Sequence, residues 1–320
     1  MINAIVLNDT RRNRGHLGCA TVMSNIEYLA AKHSIQIVRA YQSIDAHNDP
    51  DYTPNLHMAD AVILNGEGTF HHDQAEAVEL MKAVQKAAAH GKKCYLINCS
   101  WENNTRINNN LSLFSAIFTR DNASRREINR LGFDAVTVPD LSLYSPPTDD
   151  VRASDFTAAH HVTFLDSVIW KTTKTIAGAA AILGENLYTM NGGFYKQAKY
   201  IPIALKLAGH LSRIRIATLD NFHGVVVTGR FHGLCLALKL GLPFLAISSN
   251  TTKSESLLSD IGLAPGECQI SREALSPRMI LRRLEAQEIT KTATRIKANE
   301  YLADSQTKIE QMFSQLSQLR

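Results

Sequence analysis

The sequence has no run of about 20 consecutive apolar residues. Its most apolar stretch, residues 234–248, is broken by Lys239, so no membrane-spanning helix is expected. It also lacks a basic leader: Met1-Ile2-Asn3-Ala4-Ile5-Val6-Leu7 reads as a buried strand, not a secretory signal. Cysteine is scarce. The five, at 19, 94, 99, 235 and 268, are odd in number, lack metal-type spacing and in part sit in apolar runs. They read as reduced core thiols of a cytoplasmic protein, not as a disulfide framework. Neither sign of charge dominates, with 34 Lys and Arg against 30 Asp and Glu. Without a basic face or interleaved aromatics, a nucleic-acid partner is not expected. What is present is an ordinary globular composition, 45% hydrophobic over 320 residues, which excludes wholesale disorder and fits two domains.

Short apolar runs alternate with helical stretches. Strands are predicted at residues 4–7, 35–40, 59–64, 94–98, 116–119 and 135–138, with helices at 20–33, 74–89 and 124–131 between them. Gly91 and Gly132 follow two of these helices as stop signals. Residues 144–150, Tyr-Ser-Pro-Pro-Thr-Asp-Asp, form a linker, after which the alternation restarts. Strands are predicted at 161–165, 187–190, 214–218, 224–227 and 243–248, with helices at 174–183, 198–208 and 233–240. Residues 276–320 are helical in character, with eight basic and five acidic residues and no strand pattern. This is α/β architecture: two parallel-sheet halves, residues 1–145 and 151–275, and a helical tail, 276–320, packing across them. In such sheets ligands bind beyond the carboxyl ends of the strands, which places a site in the cleft that the halves face.

The polar motifs fall where that rule puts them. Gly66 and Gly68 flank Glu67 after the third strand, where glycines permit close backbone approach to a ligand and the helix that follows offers N–H groups to an anion. A Gly-x-Gly without the third glycine is also compatible with an ordinary turn. His71-His72-Asp73 comes next, but adjacent side chains seldom aim at one ion, so no metal site is expected. Arg120 ends the fifth strand; its planar fork suits a carboxylate or phosphate, or else a structural pairing with Asp121 or Asp140. The strongest block is Thr228-Gly229-Arg230-Phe231-His232-Gly233, where a buried strand gives way to an apolar helix. Arg230 supplies a cation and His232 a titratable group at a helix start, where anions are favoured. Residues 248–255 read as a polar loop in which Lys253 reaches an anion. His16, and Asp166 with Ser167, follow strands and are candidate contacts to an acceptor or donor. The basic tail allows at most peripheral membrane contact.

In order and type, these motifs resemble the polysaccharide pyruvyl transferase family. Thr119-Arg120-Asp121 with Ser124, Leu131-Gly132 and Asp140 is similar to its Arg-Asp-x-x-Ser…Leu-Gly…Asp segment. Gly229-Arg230-Phe231-His232-Gly233, running on through Gly241-Leu242-Pro243 and Lys253 to Leu263, resembles its Arg-Leu-His signature, with Phe231 in place of the leucine. The Asn-x-Gly-Asp turn often found after the first strand is replaced by Asn13-Arg14-Gly15-His16, without the Asp. The resemblance implies two Rossmann-like domains facing a cleft, as in glycosyltransferases of the B type. It implies a transferase moving the carboxyvinyl group of phosphoenolpyruvate onto two hydroxyls of a sugar, lipid-linked or nucleotide-linked, in a bacterial surface polysaccharide precursor. Phosphoenolpyruvate is then a co-substrate, and no cofactor or metal is implied. Arg120, Arg230, Phe231, Gly66, Gly68 and Lys253 would bind the donor and His232 would be the general acid. Two alternatives stand beside this reading: a nucleotide-sugar glycosyltransferase of the same fold, and a non-catalytic sugar-binding module.

Overall fold

A computed structural model describes residues 1–13, 15–147, 161–190, 214–286 and 292–318. Two compact units emerge. The first comprises Met1–Arg12, Val22–Tyr144 and Ser305–Arg320, and the second Asn13–Thr21 and Ser145–Asp304.

The first unit carries β1 (Ile2–Leu7), α1 (Leu17–Lys32, from Val22 on), β2 (Ile35–Tyr41), α2 (Tyr52–Met58), β3 (Ala61–Glu67), α3 (Ala75–Ala89), β4 (Lys93–Cys99), β5 (Phe114–Thr119), α4 (Asn122–Arg130) and β6 (Val136–Thr137). Its strands form one parallel sheet in the order β2-β1-β3-β4-β5-β6. Every residue of β3 is buried, as a central strand with both faces covered requires. The two faces sort by alternation. Ile5, Leu7, Val62 and Leu64 join Leu80 and Trp101 on one side. Ala4, Val6, Ala61 and Ile63 join Met23 and Ile26 on the other.

The second unit carries β7 (Val162–Ser167), α5 (Trp170–Leu183), β8 (Leu187–Thr189), β9 (Ile214–Ile216), β10 (Val225–Gly229), α6 (Phe231–Lys239), β11 (Phe244–Ile247), α7 (Lys253–Ile261), α8 (Pro265–Cys268), β12 (Gln269–Ile270) and α9 (Pro277–Glu285). Its sheet is also parallel, in the order β12-β11-β10-β7-β8-β9. The helical tail continues into α10 (Thr292–Gln318), which counts with the second unit through Asp304 and with the first from Ser305. Ile309, Met312, Phe313 and Leu316 are buried in the first unit, on the face of Val22 and Met23.

Three details differ from the sequence reading. Residues 253–255 are not loop but the first turn of α7. Helix α2 carries Pro54 inside a seven-residue span, and proline reads as a helix breaker. Strand β12 has two residues, too few for an alternation to register. The helix predicted at 198–208 and the linker's residues 148–150 lie outside the described residues.

Candidate functional site

A parallel sheet offers a ligand crevice where its strand order reverses. In the second unit this point lies between β7, which leads on to β8, and β10. Strand β7 ends in Asp166-Ser167 and β10 in Thr228-Gly229, and α6 follows at once with Arg230 as its N-cap. Arg230 donates Nε to Asp166 Oδ1 at 2.8 Å and Nη2 to Oδ2 at 2.5 Å. This is the bidentate geometry in which an Arg–carboxylate pair is strongest, and both side chains are buried. Asp166 also accepts the backbone N–H of Met190 at 3.2 Å. Thr228 Oγ1 accepts the N–H of Arg230 at 3.0 Å, fixing the turn into the helix. Gly229 is required by proximity: a Cβ there would stand 2.5 Å from Ser167 Cβ.

His232 sits in the first turn of α6 and is 8% exposed. Its ring lies 5.4 Å from that of His16, edge to face at 76°. His16, on the segment that packs with the second unit, accepts the Cys19 backbone N–H on Nδ1 at 3.2 Å. Phe231 is buried with its ring 5.7 Å from that of His232. Lys253 is the first residue of α7. The second reversal point thus gathers Arg230, His232, Asp166 and Ser167.

In the first unit the reversal lies between β1, which leads on to β2, and β3. Asn8 Nδ2 donates to Asn65 O at 2.6 Å, Asn65 Nδ2 returns to Asn8 O at 3.3 Å, and Asn98 Nδ2 reaches Asn65 Oδ1 at 3.2 Å. Glu67 accepts from Thr10 Oγ1 and from Asn65 Nδ2. Asn8, Glu67 and Asn98 are left-handed, with φ of 62°, 42° and 55°. Asparagine tolerates that region, whereas a glutamate there is uncommon and marks strain.

Sequence reasoning singled out the glycines of this turn and missed the glutamate between them. Gly66 is needed for another reason, since a Cβ there would stand 2.6 Å from Cys99 Cβ and 2.9 Å from Cys99 Cα. Gly68 is not among the described glycines with positive φ. Helix α3 begins at Ala75, close to the start predicted at residue 74, so residues 69–74 separate its N-terminus from the glycine turn.

Arg120 lies just after β5, two strands over from β3, with Glu67 of the first reversal point among the carboxylates that act on it. It donates Nη1 to Asp140 Oδ2 at 2.9 Å and Nε to Ser100 Oγ at 2.7 Å, at 2% exposure. Burial opposes its charge, but Asp140, Glu67 and Asp121 outweigh that and hold the guanidinium above its ordinary value. Asp121 caps α4 through Ser124 N at 2.8 Å. The structural pairing with Asp140 that the sequence allowed is therefore made. Asp73 spends its carboxylate on Thr105 and on the backbone N–H of Arg106. Its hydrogen bond to Thr105 leads the causes that hold it below the ordinary carboxylate value.

The model of the family described as polysaccharide pyruvyl transferase matches residues 6–214, well over half of the chain. The chain belongs to the polysaccharide pyruvyl transferase family. It is therefore a transferase, and the sequence-level resemblance and the expectation of an enzyme hold. No curated protein matches the chain. Among solved structures it is similar to the Arabidopsis thaliana UGT89C1 complexed with UDP-L-rhamnose, with TM-score 0.55 and 10% identity over 99% of this chain and 99% of that one. It is similar to the apo form of the lipopolysaccharide outer core galactosyltransferase WaaB, with TM-score 0.52 and 12% identity over 100% of each chain. It is similar to MurG of Acinetobacter baumannii, with TM-score 0.50 and 13% identity over 99% of each chain. At these identities the likeness concerns fold, and it supports the expected glycosyltransferase-B-like class. The match to the pyruvyl transferase family covers Gly66, Gly68 and Arg120, while Arg230, His232 and Lys253 lie beyond residue 214. Among the described residues no helix is long and apolar enough to cross a membrane.

Proposed function

We propose that this pyruvyl transferase moves the carboxyvinyl group of phosphoenolpyruvate onto two hydroxyls of a sugar, forming a ketal and releasing phosphate. The observation that carries the reading is the second reversal point, where a carboxylate-oriented Arg230 and the imidazole of His232 stand together at the start of α6. Arg230 and Lys253 take the donor's carboxylate and phosphate, and the α6 backbone adds N–H donors without reorganising. His232 delivers a proton to C3 of the enol, which makes C2 electrophilic. One sugar hydroxyl adds to C2, the C2–O bond to phosphate breaks, and a second hydroxyl closes the ketal. Of the two hydroxyl protons lost, one balances the new methyl group and the other leaves with phosphate. Asp166 acts through Arg230, holding its fork in one plane. Arg120, tied to Asp140 and Ser100, is assigned to order the end of the first sheet.

We place the reaction in the cytoplasm, on a lipid-linked or nucleotide-linked precursor of a bacterial surface polysaccharide, with no cofactor. The competing donor is a nucleotide sugar, favoured by the likeness to a fold crystallised with UDP-L-rhamnose. Thermal unfolding decides between them, because a ligand of the native state raises the midpoint by mass action. The midpoint should rise with phosphoenolpyruvate, and Arg230→Ala should abolish the rise. A rise with UDP or UDP-sugars and none with phosphoenolpyruvate would overturn the donor.

A further inference from the structure

His16, Cys19 and His232 form a group that the proposed reaction does not use as a set. Each offers one ligand atom, and these atoms lie within 4.8 Å of one another. All three belong to the second unit. Cys19 and His232 are buried and His16 is half-buried, so the group is shielded from bulk water. Two elements build it. His16 and Cys19, three residues apart, flank the start of α1, and His232 lies in the first turn of α6. Gly18 makes the approach possible, since a Cβ there would stand 2.3 Å from both Cβ and Cγ of His232.

One thiol and two imidazoles are a borderline-soft donor set. Such a set suits zinc and excludes magnesium and calcium, which demand oxygen. Around zinc, with bonds of about 2.0–2.3 Å, ligand atoms stand roughly 3.3–3.7 Å apart, so the group closes by about 1 Å through side-chain rotation. The 3.2 Å bond from the Cys19 N–H to His16 Nδ1 is long, and ligation through either ring nitrogen exchanges it for a metal bond. Three protein ligands leave a fourth position for water or a substrate oxygen.

We propose that His16, Cys19 and His232 form a zinc-binding site in the second unit. The binding stands on the cluster itself. Its consequence for turnover rests on the reading of His232 as the acid: a ring nitrogen bound to zinc cannot carry the proton to C3, so zinc inhibits. Sequence spacing gives no sign of this site, because His232 joins His16 and Cys19 only in the fold.

The test is titration of the metal-free full chain with Co2+, whose thiolate charge-transfer absorption reports a cysteine–metal bond. One equivalent should bind and produce the band, Zn2+ should displace it, and Mg2+ should not compete. Cys19→Ser should remove the band, with Cys19→Ala as the second variant should the first fail to fold. His16→Gln should weaken binding about tenfold or more. Absence of the band, or a band that survives both Cys19 variants, overturns the site. In turnover with phosphoenolpyruvate, Zn2+ should slow the parent and spare Cys19→Ser, while equal slowing of both overturns the inhibition. A chain that binds Co2+ as described but does not turn over phosphoenolpyruvate refutes the donor and leaves the metal site standing.

Discussion

The two sheets have the same strand count and each has one reversal of order, yet the chemistry gathered there is opposite in kind. Between β1 and β3 the side chains are Asn8, Asn65 and Glu67, with Asn98 adjoining on β4. Between β7 and β10 they are Asp166, Ser167 and Arg230, with His232 in the first turn of the helix that follows. Among the described residues every left-handed non-glycine lies in the first unit. Such conformations cost of order 1–3 kcal/mol each, least for asparagine, and they persist only where surrounding structure enforces them. At its own reversal point the second unit instead holds a buried ion pair, whose desolvation must be offset by geometry, whereas the buried pair of the first unit, Arg120 with Asp140, stands beside β5. Helix α6 starts one residue after β10, whereas α3 starts well beyond β3, so an anion finds a helix start only at the former. Topology selects the place, and local side chains select the ligand.

The comparison breaks most visibly if acid chemistry is not confined to the second reversal point. His232→Ala should lower kcat by about 10²–10⁴-fold, the range of a general acid, when assayed at a temperature where the variant is folded. Glu67→Gln should cost far less in kcat. Equal losses at the two positions would show that the first point shares in the proton transfer.

Next in size is the ion pair. Asp166→Ala leaves the Arg230 guanidinium buried without its carboxylate, and breaking such a pair costs about 3–5 kcal/mol. Urea unfolding, with hydrogen exchange of the β7 and β10 amides, should register the loss in the second unit. Asp140→Ala should do the same for Arg120 in the first. A near-neutral Asp166→Ala would mean that Arg230 is not held by this partner.

The glycines of the two points make a smaller, paired test. Gly66→Ala and Gly229→Ala both overpack, each by about 1–3 kcal/mol. Gly66→Ala should cost more, because its obstacle includes the Cys99 Cα at 2.9 Å, whereas Gly229 meets chiefly the Ser167 side chain. Unfolding midpoints of the two variants read the order directly.

Much of this was legible. The alternation of apolar runs and helical stretches placed both sheets, since parallel strands buried on both faces leave a continuous apolar signature in β3 and β10. The start of α6 was legible too, because Thr228-Gly229-Arg230 punctuates an apolar strand and an apolar helix. Glu67 was not, as a lone carboxylate between glycines carries no periodic signal and its left-handed backbone is set by neighbouring strands. The fate of Arg120 was open for a related reason: its partner Asp140 is 20 residues away, and only the pairing of β5 with β6 brings that segment back. The placement of Asn13–Thr21 with the second unit is a tertiary fact with no local signature.

The smallest expected effect concerns the tail helix and tests whether the two units can be compared as separate bodies. Glu310 on α10 accepts from Lys32 Nζ at 2.5 Å, lies 2.7 Å from His33 Nε2, and accepts from the Tyr144 hydroxyl. Burial alone would raise its carboxyl, but the hydrogen bonds from Lys32, Tyr144 and His33 outweigh it and hold the group below its ordinary value of 4.5. The unfolded chain therefore binds a proton there before the folded chain does. The stabilisation is complete above that ordinary value and is lost as pH falls through the lower folded one. As pH falls to 4.5 and below, the first unit should lose stability more steeply in the parent than in Glu310→Gln. The carboxylate side chain is 26% exposed, so the difference should stay below about 1 kcal/mol. Hydrogen exchange locates it: amides of β1 and β3 should follow the titration while those of β7 and β10 do not. Equal movement of both sets would mean that the units open as one, and the contrast between their reversal points would then be read as two parts of a single cooperative structure.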